Sequence, residues 1–248
     1  NFILPIILFF IMKGSCYILN LDSQWAIGVL ILYGASTAAL SPALCILMKG
    51  HTERAVINML ASSLIVPFSL PFIIYLMNGS ISKINIGAMM LDLTQMIAIP
   101  LIGVLITKIF LKSFNKKIFS YLAPLSVFVL FFIVLGCVDG LTIIIFKNPM
   151  QLLIGISISY IMILLAFGLG WVFAFKGNTQ DKVTLAIFAA WPNVGLVIVL
   201  CKLYFKSEFP IIMLFAVISE IPWNTSFIPA QKFIQYMYKK YPENLNKE

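Results

Sequence analysis

Two stretches of the chain place polar chemistry inside apolar segments. The first, Gly34-Ala35-Ser36-Thr37-Ala38-Ala39-Leu40-Ser41-Pro42, sets three hydroxyls beside a proline, and the second, Ala189-Ala190-Trp191-Pro192-Asn193-Val194-Gly195, sets a carboxamide beside another. Proline removes a helical N–H and clashes one turn back. Pro42 and Pro192 should therefore each break a helix, freeing backbone carbonyls and exposing the N-terminus of a half-helix. Irregular backbone at membrane depth is tolerated only where it is buried in protein or lines a cavity. A matched pair of such breaks is the sequence sign of a secondary-transporter site, in which dipole ends and unwound carbonyls meet solute or ion. The competing reading is a pair of packing kinks, since proline and glycine are common in membrane helices.

Ionisable groups at membrane depth are costly and are functional candidates by default. Glu220, in Ser219-Glu220-Ile221-Pro222-Trp223-Asn224, lies near mid-depth and is a candidate proton or cation site; Asp92, one turn from Gln95, is a second. Asp139 falls toward a segment end and reads as interfacial. Ser62 and Ser63, with Asn58, could face the first break, although such hydroxyls commonly bond their own backbone one turn back.

The elements that must position these groups follow from hydropathy. The chain is 61% hydrophobic and 10% charged, with a mean hydropathy of +1.03, whereas soluble domains run at about 45–50% apolar and about 25% charged. Splitting at polar interruptions gives eight apolar segments, 2–19, 24–48, 55–77, 86–111, 119–146, 151–175, 183–205 and 210–233. Each is long enough to span at 1.5 Å per residue, and none alternates like a barrel strand. The fold class is thus an all-α membrane protein, a polytopic helical bundle forming a single transmembrane domain over 1–248. Segments one to three (plain, broken, proline-bearing) mirror six to eight, and the odd offset between the broken ones makes this an inverted repeat.

Lysine and arginine divide twelve to five between the two sides, with Lys49, Arg54, Lys176, Lys182, Lys232, Lys239 and Lys240 on the rich side. Because positive loops stay cytoplasmic, the C-terminus, with a tail at 234–248, is expected in the cytoplasm of a bacterial inner (plasma) membrane. The net charge of +8 is spread over many loops, which argues for topology and against nucleic-acid binding. Cys16, Cys45, Cys137 and Cys201 read as small core residues, and His51 as a solvated loop residue. No nucleotide-binding loop, HExxH or nucleophile–base pair is present in the sequence, so no enzyme activity, cofactor or structural metal is expected.

At the two breaks the sequence resembles the bile acid:sodium symporter family, which includes bacterial sodium-dependent organic-anion carriers. GASTAALSPALCILMKG at 34–50, continuing to Pro71, is similar to the family's first discontinuous helix and the helix after it; Ala190-Trp191-Pro192-Asn193-Val194-Gly195-Leu196 is similar to the second; and Trp223-Asn224 resembles a site in the last helix. The resemblance implies ten helices in two inverted repeats with two crossed discontinuous helices. It implies a core (1–78 and 151–233) moving against a panel (86–146). The chain begins Asn1-Phe2-Ile3, so the family's first helix pair is expected to precede it. The resemblance matches Asn193 and Asn224 on the substrate side and Ser41 among the ion ligands; the reading of the first break adds Ser36 and Thr37 as expected substrate or ion contacts, and Ser41, Glu220 and Asp92 are the ion-coupling candidates. The positions of the family's other sodium ligands are Phe188, Pro192, Pro42, Ala55 and Met59. Sodium coupling is accordingly in doubt, and Na+ or H+ remains open as the coupling ion. The expected function is secondary transport of a small organic solute, an organic anion or acid, by alternating access. Auxin-efflux-type carriers of the same fold, and a non-transporting sensor or degenerate homologue, are the alternatives.

Overall fold

The computed structural model describes residues 2–77, 84–110, 149–205 and 209–240, together with Leu125, Phe128 and Phe132. These residues are helical, without a strand among them: α1 (Ile3–Leu19), α2 (Gln24–Gly34), α3 (Ser41–Leu47), α4 (Thr52–Met77), α5 (Ile86–Phe110), α6 (Pro149–Phe173), α7 (Thr179–Ala190), α8 (Val194–Tyr204), α9 (Pro210–Ile218), α10 (Glu220–Thr225) and α11 (Phe227–Lys240). Four helical runs are long and apolar enough to cross a bilayer, Thr52–Leu76, Ile86–Ile106, Pro149–Phe173 and Pro210–Lys240. The protein is an all-α membrane protein. The expected segment 119–146, apart from three residues, and Asp139 lie outside the described residues, as do most of the panel beyond residue 110 and the tail beyond Lys240.

Helix α2 forms the centre. Every residue from Trp25 to Gly34 is buried, and α1, α4 and α9 pack around it. A helix that is apolar all round has no polar face to offer water, so a central position is the one that suits it. Trp25 meets Phe215 of α9 edge-on, with ring centroids 5.9 Å apart. Helices α6 and α7 form a close hairpin: a Cβ on Gly170 would fall 2.6 Å from the Leu185 carbonyl oxygen, so only glycine permits the approach. By contrast, α5 packs chiefly on α4, burying Met89 and Leu93 while Leu91, Ile99, Ile102 and Val104 stay exposed.

Element ends follow local chemistry. Helix α7 starts at Thr179, earlier than the expected 183, because Asn178 closes a capping box: its Oδ1 accepts from the Asp181 N–H at 2.8 Å, and its own N–H donates to Asp181 Oδ2 at 3.2 Å. The last segment is interrupted at Ser219 and Ser226, where the carbonyls of Ile218 and Thr225 would need N–H donors from Pro222 and Pro229. Residues 234–240, read from the sequence as the start of a cytoplasmic tail, are helical and continue α11. Ile234 and Tyr238 are buried there, and the Tyr238 hydroxyl donates to the Lys49 carbonyl at 2.6 Å. That contact makes the last turns of α11 part of the packed body.

Candidate functional site

Both expected breaks are present. Between α2 and α3 the chain leaves the helix at Ala35, whose backbone is extended (φ −68°, ψ 169°), and re-enters it at Ser41 with Pro42 in the first turn. Pro42 has no N–H to offer the Ala38 carbonyl, which instead accepts from the Ser41 N–H at 3.0 Å. Between α7 and α8 the break is shorter, covering Trp191, Pro192 and Asn193. Pro192 likewise leaves the Phe188 carbonyl without its helical donor, and the Thr37 hydroxyl of the other break approaches that oxygen at 3.5 Å.

The two unwound segments cross and pair with each other. Thr37 and Pro192 form an isolated antiparallel bridge. The Ala38 N–H donates to the Trp191 carbonyl at 2.9 Å, and the Asn193 N–H donates to the Ser36 carbonyl at 2.7 Å. A third helix joins the crossing through α4, where Ser62 Oγ accepts from the Thr37 N–H at 3.2 Å while donating to its own Met59 carbonyl at 2.9 Å. Ser63 Oγ also bonds Met59, at 2.8 Å, as the sequence reading of the pair expects. A fourth joins through two indoles. Trp191 Nε1 donates to the Trp223 carbonyl at 3.1 Å, and Trp223 Nε1 donates to the Pro192 carbonyl at 3.0 Å. Carbonyls released by proline at membrane depth thus find donors within the protein.

The candidate residues divide by position. Ser36, Thr37 and Ser41 are buried in the crossing, 1%, 4% and 1% exposed. Ser41 Oγ has no hydrogen-bond partner among the described residues. Asn193 is half-buried and spends its side-chain oxygen on the Leu196 N–H at 3.1 Å, capping α8. Asn224 is exposed, and its amide donates to the Glu220 carbonyl at 2.8 Å and to Glu220 Oε2 at 3.2 Å. The next residue, Thr225, has its hydroxyl 2.7 Å from the Tyr160 hydroxyl of α6. Glu220, Asn224, Thr225 and Tyr160 form a polar strip beside the indole pair. Asp92 is not brought there. It accepts from the Tyr204 hydroxyl at 2.5 Å, at the far end of α8, about 16 Å along that helix from Asn193.

Three bonding groups were not singled out in the sequence. Nothing there marks Tyr160, which sits in a plain apolar helix. Trp191 and Trp223 stand inside the motifs, but the sequence reading assigned no bond to their indole N–H groups. A signal for the indoles existed: each stands next to a break, where unpaired carbonyls demand donors.

Cavities at the crossing are small. One of about 30 Å³ is lined by Tyr33, Thr37, Phe188 and Pro192, and another of about 10 Å³ by Ser159, Pro192, Ser219 and Trp223. A single water needs about 10–15 Å³, and organic ligands occupy about 300–1,000 Å³. These two spaces, as bounded by the described residues, suit water or a small cation. Among the described residues no group of three or more His, Cys, Asp or Glu is placed to hold a metal.

At one end of the bundle the connections carrying the basic residues meet. The His51 N–H donates to Thr184 Oγ1 at 2.7 Å, His51 Nε2 lies 3.4 Å from Asp181 Oδ1, and Arg54 pairs with the same carboxylate. His51, expected as a solvated loop residue, is packed against α7. Gly50 makes that possible, since a Cβ there would meet Thr184 Oγ1 at 2.9 Å.

The Sodium Bile acid symporter family matches residues 1–144, more than half of the chain. The chain is also 25% identical over 210 residues to the "Uncharacterized sodium-dependent transporter YocS" of Bacillus subtilis (strain 168), a match covering 82% of this chain and 62% of that protein's length. The chain belongs to the sodium bile acid symporter family.

Proposed function

We propose that this family member is a secondary carrier of a small organic anion or acid, working by alternating access. The supporting observation is the antiparallel pairing of two unwound segments, Thr37 with Pro192, inside an otherwise helical membrane bundle. The two small cavities that the described residues bound at the crossing do not hold an organic solute, so the solute meets the crossing from its side. It contacts Asn193, Asn224 and the strip running to Tyr160, with Ser36 and Thr37 shaping the backbone behind them. Helices α1–α4 and α6–α11 act as the core and α5 as part of a panel that moves against it. The basic end, including the C-terminus, faces the cytoplasm across a plasma membrane.

Ser41 Oγ is the buried hydroxyl at the crossing that a co-transported cation would find free. Side-chain oxygen is lacking at Pro42, Ala55, Met59, Phe188 and Pro192, so sodium is held weakly, and Glu220 is the alternative carrier, of a proton. The test uses the full-length protein in proteoliposomes, with labelled cholate and a set of smaller organic acids under sodium or proton gradients. Asn193→Ala and Asn224→Ala should each cut uptake at least tenfold, and Pro42→Ala with Pro192→Ala should abolish it. Unchanged uptake in all three variants would remove the solute from this site.

A second reading, a non-transporting homologue, is favoured by one observation: the crossing packs around Trp191, only 1% exposed, with little enclosed space. It expects no gradient-driven accumulation of any acid tested, together with solute-induced thermal stabilisation.

A further inference from the structure

A cleft of about 300 Å³ opens at the basic end of the bundle between the turn after α3 and the last turns of α11. Its walls carry two ammonium groups, Lys49 and Lys239, and two carboxamides, Gln231 and Gln235, and among the described residues none that lines it is acidic. The turn is a fixed structure. Lys49 has a positive φ of 57°, its carbonyl accepts from Tyr238, and Gly50 is pressed against Thr184. Both lysine side chains are exposed, so their charges face whatever enters. The surface of α3 beside Lys49 is apolar and open: Ile46 is 63% exposed and Leu47 57%. Lys232 and Lys240 stand on the same helix.

A site that joins paired cations and amide donors to an exposed apolar rim, at the end of membrane-crossing helices, fits a ligand with an anionic head and hydrocarbon tails. Basic clefts at this level attract anionic lipid headgroups through charge, and the carboxamides add hydrogen bonds to phosphate oxygens. We propose that this cleft binds the phosphodiester headgroup of an anionic phospholipid, its acyl chains lying over Ile46 and Leu47. The site is separate from the crossing and does not depend on what the carrier moves. A lipid seated there bridges α3, the second half of the first broken helix, to α11.

The test is native mass spectrometry of the full-length protein in detergent, titrated with dioleoyl phosphatidylglycerol or dioleoyl phosphatidylcholine. The wild type should retain the phosphatidylglycerol at least fivefold more. Lys49→Gln with Lys239→Gln should erase that preference, whereas Lys176→Gln with Lys182→Gln, at the same end but outside the cleft, should leave it. Gln235→Glu, which sets a carboxylate in the cleft without removing a buried group, should lower retention as well. Retention that persists in the Lys49/Lys239 and Gln235 variants, or falls equally in the Lys176/Lys182 variant, overturns the site. Displacement of the lipid by 10 mM inorganic phosphate would show a free-anion site instead and would also overturn the proposal.

Discussion

The two breaks that cross are built on opposite plans. The first is long, rich in hydroxyls and small residues, and leads into a seven-residue half-helix that no side chain caps. The second is three residues long and is fixed from several sides: Asn193 caps α8, Trp191 is almost fully buried, and the two indoles tie it to α10. The first break therefore holds the unspent polar group, Ser41 Oγ, while the second supplies the rigid frame against which it is held. In a crossed pair, chemistry and anchorage need not be shared equally.

The largest expected effect comes from removing the frame. Trp191→Ala should lower stability by about 3–5 kcal/mol, the range for deleting a buried tryptophan. Thermal unfolding in detergent reads this, and a loss no larger than that of Trp171→Ala, on the less buried α6 surface, would end the claim of an anchored second break. Trp223→Phe keeps an aromatic ring and removes the donor to the Pro192 carbonyl, for a loss of about 1–2 kcal/mol. Asn193→Ala removes the α8 cap and should cost about 1 kcal/mol, with Asn193→Asp restoring most of it. If Asp restores stability without restoring uptake, the amide contacts solute as well as capping the helix. Ser41→Ala sits at the bottom of the series. Its hydroxyl has no partner to lose among the described residues, so stability should change by less than about 0.5 kcal/mol. Stabilisation by 100 mM NaCl over 100 mM choline chloride, if present in the wild type, should disappear. A Ser41→Ala protein as destabilised as Asn193→Ala would show that both breaks are structural.

Proline alone did not make the breaks readable. Pro67, Pro71 and Pro100 stand inside α4 and α5, which continue through them. At 34–42 and 189–195 the proline is joined by glycine, serine, threonine or asparagine, residues that offer the backbone other partners, and there the helix does stop. Helix existence was legible for a similar reason, since 20-residue apolar runs have few alternatives in lipid. The end of α11 was not. Residues 234–240 mix Ile234, Met237 and two tyrosines with glutamine and lysines, too short and mixed a run to read as membrane-spanning, and the burial of Ile234 and Tyr238, with the bond from Tyr238 to a turn almost two hundred residues away, makes them part of the body. The candidate site was unevenly legible. Asn193 and Asn224 stand out in the sequence as amides in apolar helices, but Tyr160 joins the proposed strip only through a hydroxyl partner on another segment.

The reciprocal indole pair gives the crossing its own optical reporter. Trp191 and Trp223 are two of only four tryptophans in the chain, and each N–H is held by a carbonyl on the other's segment. Any motion that parts the crossed segments from α10 must release both bonds together and change the polarity around both rings. Intrinsic emission, with Trp25 and Trp171 replaced by phenylalanine, would track that step in real time without an attached dye.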